Sequence, residues 1–490
     1  MLSAIPSGML SAMLSAMPTD PRRRIYLLSP RQLSPETIAV TFAKTSRSPL
    51  TFREIADELT DEKSAAFHEK WVVGYGHASV AEHAVLHLAF EGISRLAVEC
   101  IESNRLASYT EKSTRYQKWD RGEYHFPAEL ADHPLGSAYR DICEALFAAY
   151  LDSLEPVRRV VQRIHPRQEG ESDGRWDGRI RARYVDVCRF FLPAASLANV
   201  GMTANARALE HAIRKMLSHP LEEVRQVGQE TKDAATGEVP TLLKYADPTS
   251  YLARQQEGIR PWLRQDLSHG SYEPVRLLRM APASETMILA ASLFPHQDAS
   301  LESIVEHLQT LPPDELGSLA QAILGGRDRF DAPGRNLEHS AFTFEVLLDQ
   351  GAYLELKRHR MMSQTPQRLS TRLGYAIPRL ITEAGLEATY RTSMEAAGRA
   401  YEALAAWNTD VAAYVVPNAY RRRAALTMNL REAFHFCELR AAPNAHFSIR
   451  RIAFRMAEVL REAVPLLAGY IRLQEGTSWQ EIEREHFTQV

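Results

Sequence analysis

Cysteine is scarce: Cys100, Cys143, Cys188 and Cys437 stand far apart in 490 residues and form no CxxC pair. That excludes a disulfide framework and the usual zinc spacings, and a reducing cytoplasm suits the chain best. Long apolar runs are missing too, and without ~20 consecutive apolar residues no membrane-spanning helix is expected. Neither sign of charge dominates. Lys and Arg total 58 against 61 Asp and Glu, a formal net charge of −3, which speaks against a nucleic-acid partner because no basic excess is present to neutralise phosphates. A small anionic ligand needs only a few local arginines and stays open. GxGxxG, GxxxxGK[ST], GxSxG and HExxH are all absent, so Rossmann, P-loop, serine-hydrolase and zincin readings have no support.

What is present is an ordinary globular composition, 45% hydrophobic and 24% charged, in a chain too long for one compact core. Met-Leu-Ser-Ala recurs at Met1, Met9 and Met13 with no charged segment ahead of it, so residues 1–24 read as a flexible leader. Beyond it the chain repeats itself. Glu82-His83 opens an alternating, strand-like run to Phe90 that ends at Gly92, and Glu338-His339 opens another. Each is followed by a helix-period segment running into an arginine: Ser103-Asn104-Arg105 in the first half, Arg358-His359-Arg360 in the second. Ser108 and Ser363 follow at equal distance, and Ser-Thr-Arg triplets come at 113–115 and 370–372. Leu192-Pro193 then precedes Asn205-Ala-Arg207 as Val416-Pro417 precedes Asn429-Leu-Arg431, with 12 residues from Pro to Asn in both. Several short matches in one order indicate a tandem duplication.

The predicted organisation is a first domain over 25–240, a linker over 241–270 and a second domain over 271–490. Helical patterns dominate, notably Leu386 to Trp407 and Ile449 to Leu467, so each half is expected to be α+β, a small sheet with long helices. The polar, glycine-containing stretch Gln168 to Gly178 reads as a surface loop without a counterpart in the second half.

Chemically, Lys357-Arg358-His359-Arg360 is either a solvated basic helix end or an anion clamp. The repeat of Arg, Ser and Ser-Thr-Arg spacing in the first half favours the clamp. Glu111, Ser113 and Arg115 alternate, so in an extended segment they project to one side. Asn205 and Arg207, with Asn429 and Arg431, read as helix caps or, because they recur, as ligand contacts. His77, Glu82 and His83 have no usual zinc spacing and suit structural or ligand-orienting roles better. The isolated cysteines read as small buried apolar residues.

Gly76-His77-Ala-Ser79-Val-Ala-Glu82-His83, Gly92-Ile-Ser-Arg95, the run from Arg105 to Tyr116, and Arg358-His359-Arg360 together resemble the flavin-dependent (alternative) thymidylate synthases. The resemblance runs from about Ile38 to Arg225 and from about Glu285 to Leu467. It implies an enzyme that binds FAD and converts dUMP to dTMP with methylenetetrahydrofolate and NADPH, without a cysteine nucleophile. Carried over by motif, Glu111, Ser113, Arg115 and Arg189 of the first copy and Arg358 and Arg440 of the second contact the nucleotide, and Arg358 and Arg440 stabilise charge on the reacting ring. Ser79, Glu82, His359, Arg360, Asn429, Arg431 and His435 contact the flavin.

The copies depart from the family in complementary ways. The first has Ser103 and Asn104 for the leading Arg-His and Met216 for the second copy's Arg440; the second has Pro366 for Glu111 and Ala413 for Arg189. One composite pocket is therefore expected to be live. A second, with Ser103, Met216, Pro366 and Ala413, is expected to offer a phosphate few cations. Glu355 stands where the family has glutamine, and a carboxylate there is expected to repel an anionic ligand or to prefer a different base edge. A homodimer imitating the family tetramer is the expected assembly. The rival expectations are a paralogue acting on another pyrimidine nucleotide and a non-catalytic flavin- or nucleotide-binding scaffold.

Overall fold

The computed structural model describes residues 24–74, 78–264, 266–268 and 270–490; the leader and His77 lie outside them. By compactness the chain forms two units. The described residues within 1–86, 205–207 and 235–245 form the smaller, and those within 87–204, 208–234 and 246–490 form the larger. The larger unit thus holds parts of both sequence copies.

In the smaller unit three short helices, Pro35–Thr45, Phe52–Asp57 and Asp61–Phe67, start where Ser34, Thr51 and Thr60 accept backbone N–H groups, because a hydroxyl there satisfies donors that a first turn leaves unpaired. The buried Glu36 carboxylate accepts from the amides of Thr241 and Leu242 at 2.9 and 3.2 Å. That ties the 235–245 segment to the first helix.

The sheets repeat the order that the motifs repeat. In the first copy β1 (Val85–Ser94), β2 (Ala107–Glu111) and β3 (Leu197–Asn205) lie in the order β1-β3-β2. In the second copy β4 (Val275–Met280), β5 (Ala341–Asp349), β6 (Ser363–Pro366) and β7 (Arg421–Asn429) lie in the order β4-β5-β7-β6, the same arrangement with one added edge strand. Registers agree as well: Ser108 faces Thr203 as Ser363 faces Thr427, and Glu111 faces Val200 as Pro366 faces Ala424. Since a one-residue slip would turn every side chain to the opposite face, shared register keeps corresponding residues on corresponding faces.

Both strand readings need shifting. Glu82-His83 closes a 3₁₀ turn and Glu338 ends another, so β1 and β5 begin at Val85 and Ala341. β1 also runs past Gly92, whose φ of 67° a residue with a side chain adopts poorly. The 168–178 segment is a loop only to Ser172, which caps the helix Asp173–Cys188.

Each sheet is flanked by equivalent helices. We label α1 (Arg95–Glu102), α2 (Gly136–Ile164), α3 (Asp173–Cys188), α4 (Ala206–Leu217), α5 (Gln350–Leu356), α6 (Glu387–Ala405), α7 (Leu430–Arg440) and α8 (Phe447–Ala463). The last buries Ile449, Ile452, Met456 and Leu460 at 3.6-residue spacing, each stabilising by roughly 1.5–3 kcal/mol. The copies meet where their Pro motifs meet. Pro193 and Pro417 form an antiparallel bridge, flanked by Ala194 N to Val416 O at 3.0 Å and Asn418 N to Leu192 O at 3.0 Å. Equivalent segments paired antiparallel relate the copies as a local twofold axis would.

Candidate active site

The site is built from β2 and the turn after it, the Arg189 turn, α5 with the residues following it, and α7. At the end of β2 the Glu111 side chain is 2% exposed and accepts from Arg95, at the start of α1, and from Arg358 Nη2 at 3.3 Å. Burial alone would raise its pKa, but Lys357, Arg95 and Arg358 outweigh burial and hold it down at about 2. Arg358, 47% exposed at its side chain, spends one N–H on this contact and keeps further donors for an anion.

Past β2 the chain turns where Ser113 Oγ accepts from Arg115 N at 3.2 Å. Arg115 then grips Asp186 with Nε to Oδ1 at 3.0 Å and Nη2 to Oδ2 at 2.9 Å, and Nη1 donates to Asn444 O at 3.0 Å. Arg189, 1% exposed, donates to Thr114 Oγ1 at 2.9 Å and Gly351 O at 3.3 Å and lies 3.8 Å from Glu355. Glu355 also receives Arg440 Nη1 at 3.1 Å. So Glu355 does not stand as a bare repelling charge; it bridges arginines from opposite copies. Removing one partner of such a buried pair costs about 3–5 kcal/mol, since the other charge is left uncompensated.

Arg440 is oriented further by His359. Its Nε donates to His359 Nε2 at 2.9 Å, and the opposite ring nitrogen lies 3.1 Å from Glu432 Oε1. Nε2 must be the acceptor, so the ring is neutral with its proton on Nδ1, given to Glu432. Burial lowers the His359 pKa, and Arg440 lowers it further against the opposing pull of Glu432. Burial also lowers the Arg440 pKa, and Arg358 and Arg115 repel its charge. Three guanidinium groups from two copies therefore share one region.

Of the expected flavin residues, His359 is buried while His435 is exposed with its ring 5.2 Å away. Arg360 crosses to the first copy, donating to Arg105 O at 2.8 Å and lying 5.4 Å over the Tyr109 ring. Asn429 caps α7, accepting from Glu432 N at 2.9 Å, and Arg431 donates to Glu338 Oε1 at 2.8 Å. In the smaller unit Glu82 and Arg207 form the corresponding ion pair. The two motifs that recur in sequence are thus partners in each copy. Ser79 and Glu82 also line a cavity of about 730 Å³ with Phe42, Phe67, Trp71 and His83.

Among the cavities of the larger unit, two bear on the site. One, of about 320 Å³, is lined by Tyr109, Glu111, Arg358 and Arg360 among others. The other, of about 620 Å³, is lined by Ser103, Pro366 and Ala413 together with several cations. This corrects the expectation of a pocket with few cations. Met216 is buried, but its neighbour Lys215 donates from Nζ to Ser103 Oγ at 2.5 Å and Asn104 Oδ1 at 2.8 Å, so one lysine stands over the residues that replaced Arg-His.

Sequence reasoning missed Asp186, Glu432 and Lys215. Asp186 precedes Arg189 by one helical turn and Lys215 adjoins Met216, which were the available signals. Burial pushes all four thiols up, so none is poised as a thiolate. Among the described residues no His, Cys, Asp and Glu cluster could hold a metal, and no helix is long and apolar enough to cross a membrane.

Duplicated sheets of one register and a shared arginine region define a two-copy α+β protein, and the chain belongs to the thymidylate synthase complementing protein family, whose profile matches residues 29–241 and 276–466. It is 31% identical to a UPF0159 protein of Chlamydia muridarum over 85% of this chain and 82% of that one, and 30% identical to one of Thermoplasma acidophilum over 85% and 90%. It is 26% identical to the flavin-dependent thymidylate synthase of Clostridium tetani, where 46% of this chain spans 87% of that protein. The Helicobacter pylori flavin-dependent thymidylate synthase complexed with FAD and dUMP is a structural neighbour at 19% identity and a TM-score of 0.32, over 41% of this chain and all 100% of that one.

Proposed function

We propose that this chain is an FAD-dependent enzyme that methylates dUMP to dTMP, taking the carbon from methylenetetrahydrofolate and reducing equivalents from NADPH, at a site built from both copies. The observation that carries the reading is the Arg358 to Glu111 contact, with Glu355 joining Arg189 to Arg440: the motifs each copy lacks are supplied by the other. The donor set fits the ligands. Arg358, Arg360 and Arg440 offer planar N–H groups to phosphates and pyrimidine carbonyls, with Glu111, held ionised, as an acceptor for a ring N–H.

Bound flavin would supply hydride to the methylene carbon once that carbon has been passed to the pyrimidine. The chain's own residues do the rest. Arg115, Arg189 and Ser113 with Arg358 and Arg440 hold the nucleotide, Arg440 and Arg358 stabilise negative charge on the ring, and His359 fixes the Arg440 plane. Arg360, His435, Asn429 and Arg431 in the larger unit are flavin contacts in this reading, as Ser79 and Glu82 are in the smaller. We further propose sequence-level domains over 25–240 and 271–490, a homodimer equivalent to four family subunits, and a cytoplasmic setting.

Purified protein is expected to be yellow, to show a visible-spectrum change with dUMP, and to form dTMP from the three substrates. Protein that folds but neither contains nor takes up FAD would defeat the reading. Glu355 supports a second one, a related pyrimidine nucleotide as substrate, because a carboxylate between Arg189 and Arg440 presents a different hydrogen-bonding edge from glutamine. Flavin binding with no dTMP from dUMP would favour it.

A further inference from the structure

The 620 Å³ cavity holds charge that the protein itself does not balance. Three of its cations are paired there: Arg422 with Glu99 at 3.0 Å, Lys357 with Glu102 at 2.9 Å and Arg368 with Asp410 at 3.6 Å. Three others meet neutral partners. Lys215 donates to Ser103 and Asn104, Arg105 to Met362 O at 3.4 Å and Ser363 Oγ at 3.5 Å, and Arg360 to Arg105 O at 2.8 Å. Among the described residues no carboxylate lies within ion-pair distance of these three.

We propose that this cavity is a second anion site, adjoining the composite active site, that binds a phosphate-bearing small molecule through Lys215 and Arg105, with Arg360 on the wall that the two cavities share. A desolvated ammonium with hydroxyl and amide partners is stabilised by an incoming anion far more than a hydrated surface lysine is. Burial depresses the Lys215 pKa, and His219 on the same wall is lowered to about 4 by burial, then by the fields of Lys215, Arg225 and Arg368. Both mark a positive wall, half-buried at Lys215. The volume suits a nucleotide-sized molecule, and Leu96, Leu221 and Met362 add apolar surface to its wall. Pro366 and Ala413 place no arginine or carboxylate at the positions that Arg189 and Glu111 hold in the composite site, so the ligand is read by different groups. The inference rests on this cavity alone and does not need the methylation reading.

The test is ³¹P line broadening of inorganic phosphate titrated into the full-length protein. Measured in the Arg440→Ala background, which removes phosphate held at the composite site, saturable binding is expected, with the dissociation constant raised at least fivefold by adding Lys215→Met and recovered with Lys215→Arg. Arg105→Gln, expected to weaken binding by a similar factor, serves where Lys215→Met does not fold by circular dichroism. No saturable phosphate binding in that background, or binding there indifferent to both cavity variants, would overturn the proposal; in the former case any anion that the parent protein binds belongs to the composite site.

Discussion

The Nε of Arg440 donates to the Nε2 of His359 at 2.9 Å, and His359 in turn faces the buried Glu432 at 3.1 Å. The one histidine of the basic run Lys357–Arg360 therefore does its work neutral and buried, as the part that sets an arginine plane. Replacing it with Phe should leave Glu432 without its donor and cost about 1–3 kcal/mol of stability, measured by urea denaturation. His359→Gln should recover part of that loss and leave nucleotide KM closer to that of the parent than Phe does. Equal stability of all three proteins would contradict the placement.

Charge removal separates the two arginine environments. Arg440→Ala and Arg115→Ala should each weaken nucleotide binding by roughly 2–4 kcal/mol, because each deletes a charge-assisted contact in a partly desolvated site. Arg372 pairs with Glu402 at side-chain exposures of 58% and 54%, so Arg372→Ala should change binding by less than ~0.5 kcal/mol. Calorimetric titration giving equal losses at Arg372 and Arg115 would refute the assignment.

Glu355→Gln should act in opposite directions on two readouts. Removing the carboxylate between Arg189 and Arg440 frees positive potential, so an anionic nucleotide should bind about tenfold tighter, worth ~1.4 kcal/mol. Arg189, 1% exposed, loses a counter-charge, and stability should fall by about 3–5 kcal/mol. Weaker binding together with unchanged stability would count against the bridging role.

Acid should destabilise the fold in a defined order. His359 and His219 have folded pKa values below the unfolded 6.5, His219 at about 4, so the folded state binds fewer protons there. Their contribution is complete above about pH 6.5 and is lost as pH falls toward 4, by at most ~1.4 kcal/mol per pH unit for each histidine. Glu111, at about 2 when folded against 4.5 unfolded, extends the loss below pH 4.5. Urea midpoints should drop from pH 7 to pH 5, and His219→Gln should flatten that slope; midpoints that climb on acidification would exclude the mechanism.

Flavin stoichiometry tests complementary decay. With one Arg358/Arg440 face and one Glu111/Arg115/Arg189 face in each chain, saturated protein should carry about one FAD per polypeptide by absorbance. Two equivalent tight sites would mean that Ser103, Asn104 and Met216 are tolerated.

Much of the arrangement was legible because the duplication supplied its own control. Glu82-His83 with Asn205-Ala-Arg207, and Glu338-His339 with Asn429-Leu-Arg431, were visible as repeats, and their ion pairs follow from a shared register. Periodicity could not show that Glu82-His83 belongs to a turn, since an alternating pattern reads the same until tertiary contacts choose its first strand residue. Nor could it weigh Glu355. A carboxylate beside two arginines and one facing a ligand look identical in sequence, and only burial and distance distinguish them. Lys215 was hidden for a similar reason: alignment by position pointed to Met216, while one step along a helix turns the side chain by about 100°.

The bridge between Pro193 and Pro417 means that the two copies face each other as an intramolecular event. Separate subunits must find one another at cellular concentration, whereas these are held at the millimolar effective concentration that a tether provides. Dilution does not part them. Under that condition a residue lost on one side stays matched to its replacement on the other, so two faces once under the same demand are free to acquire different ligands.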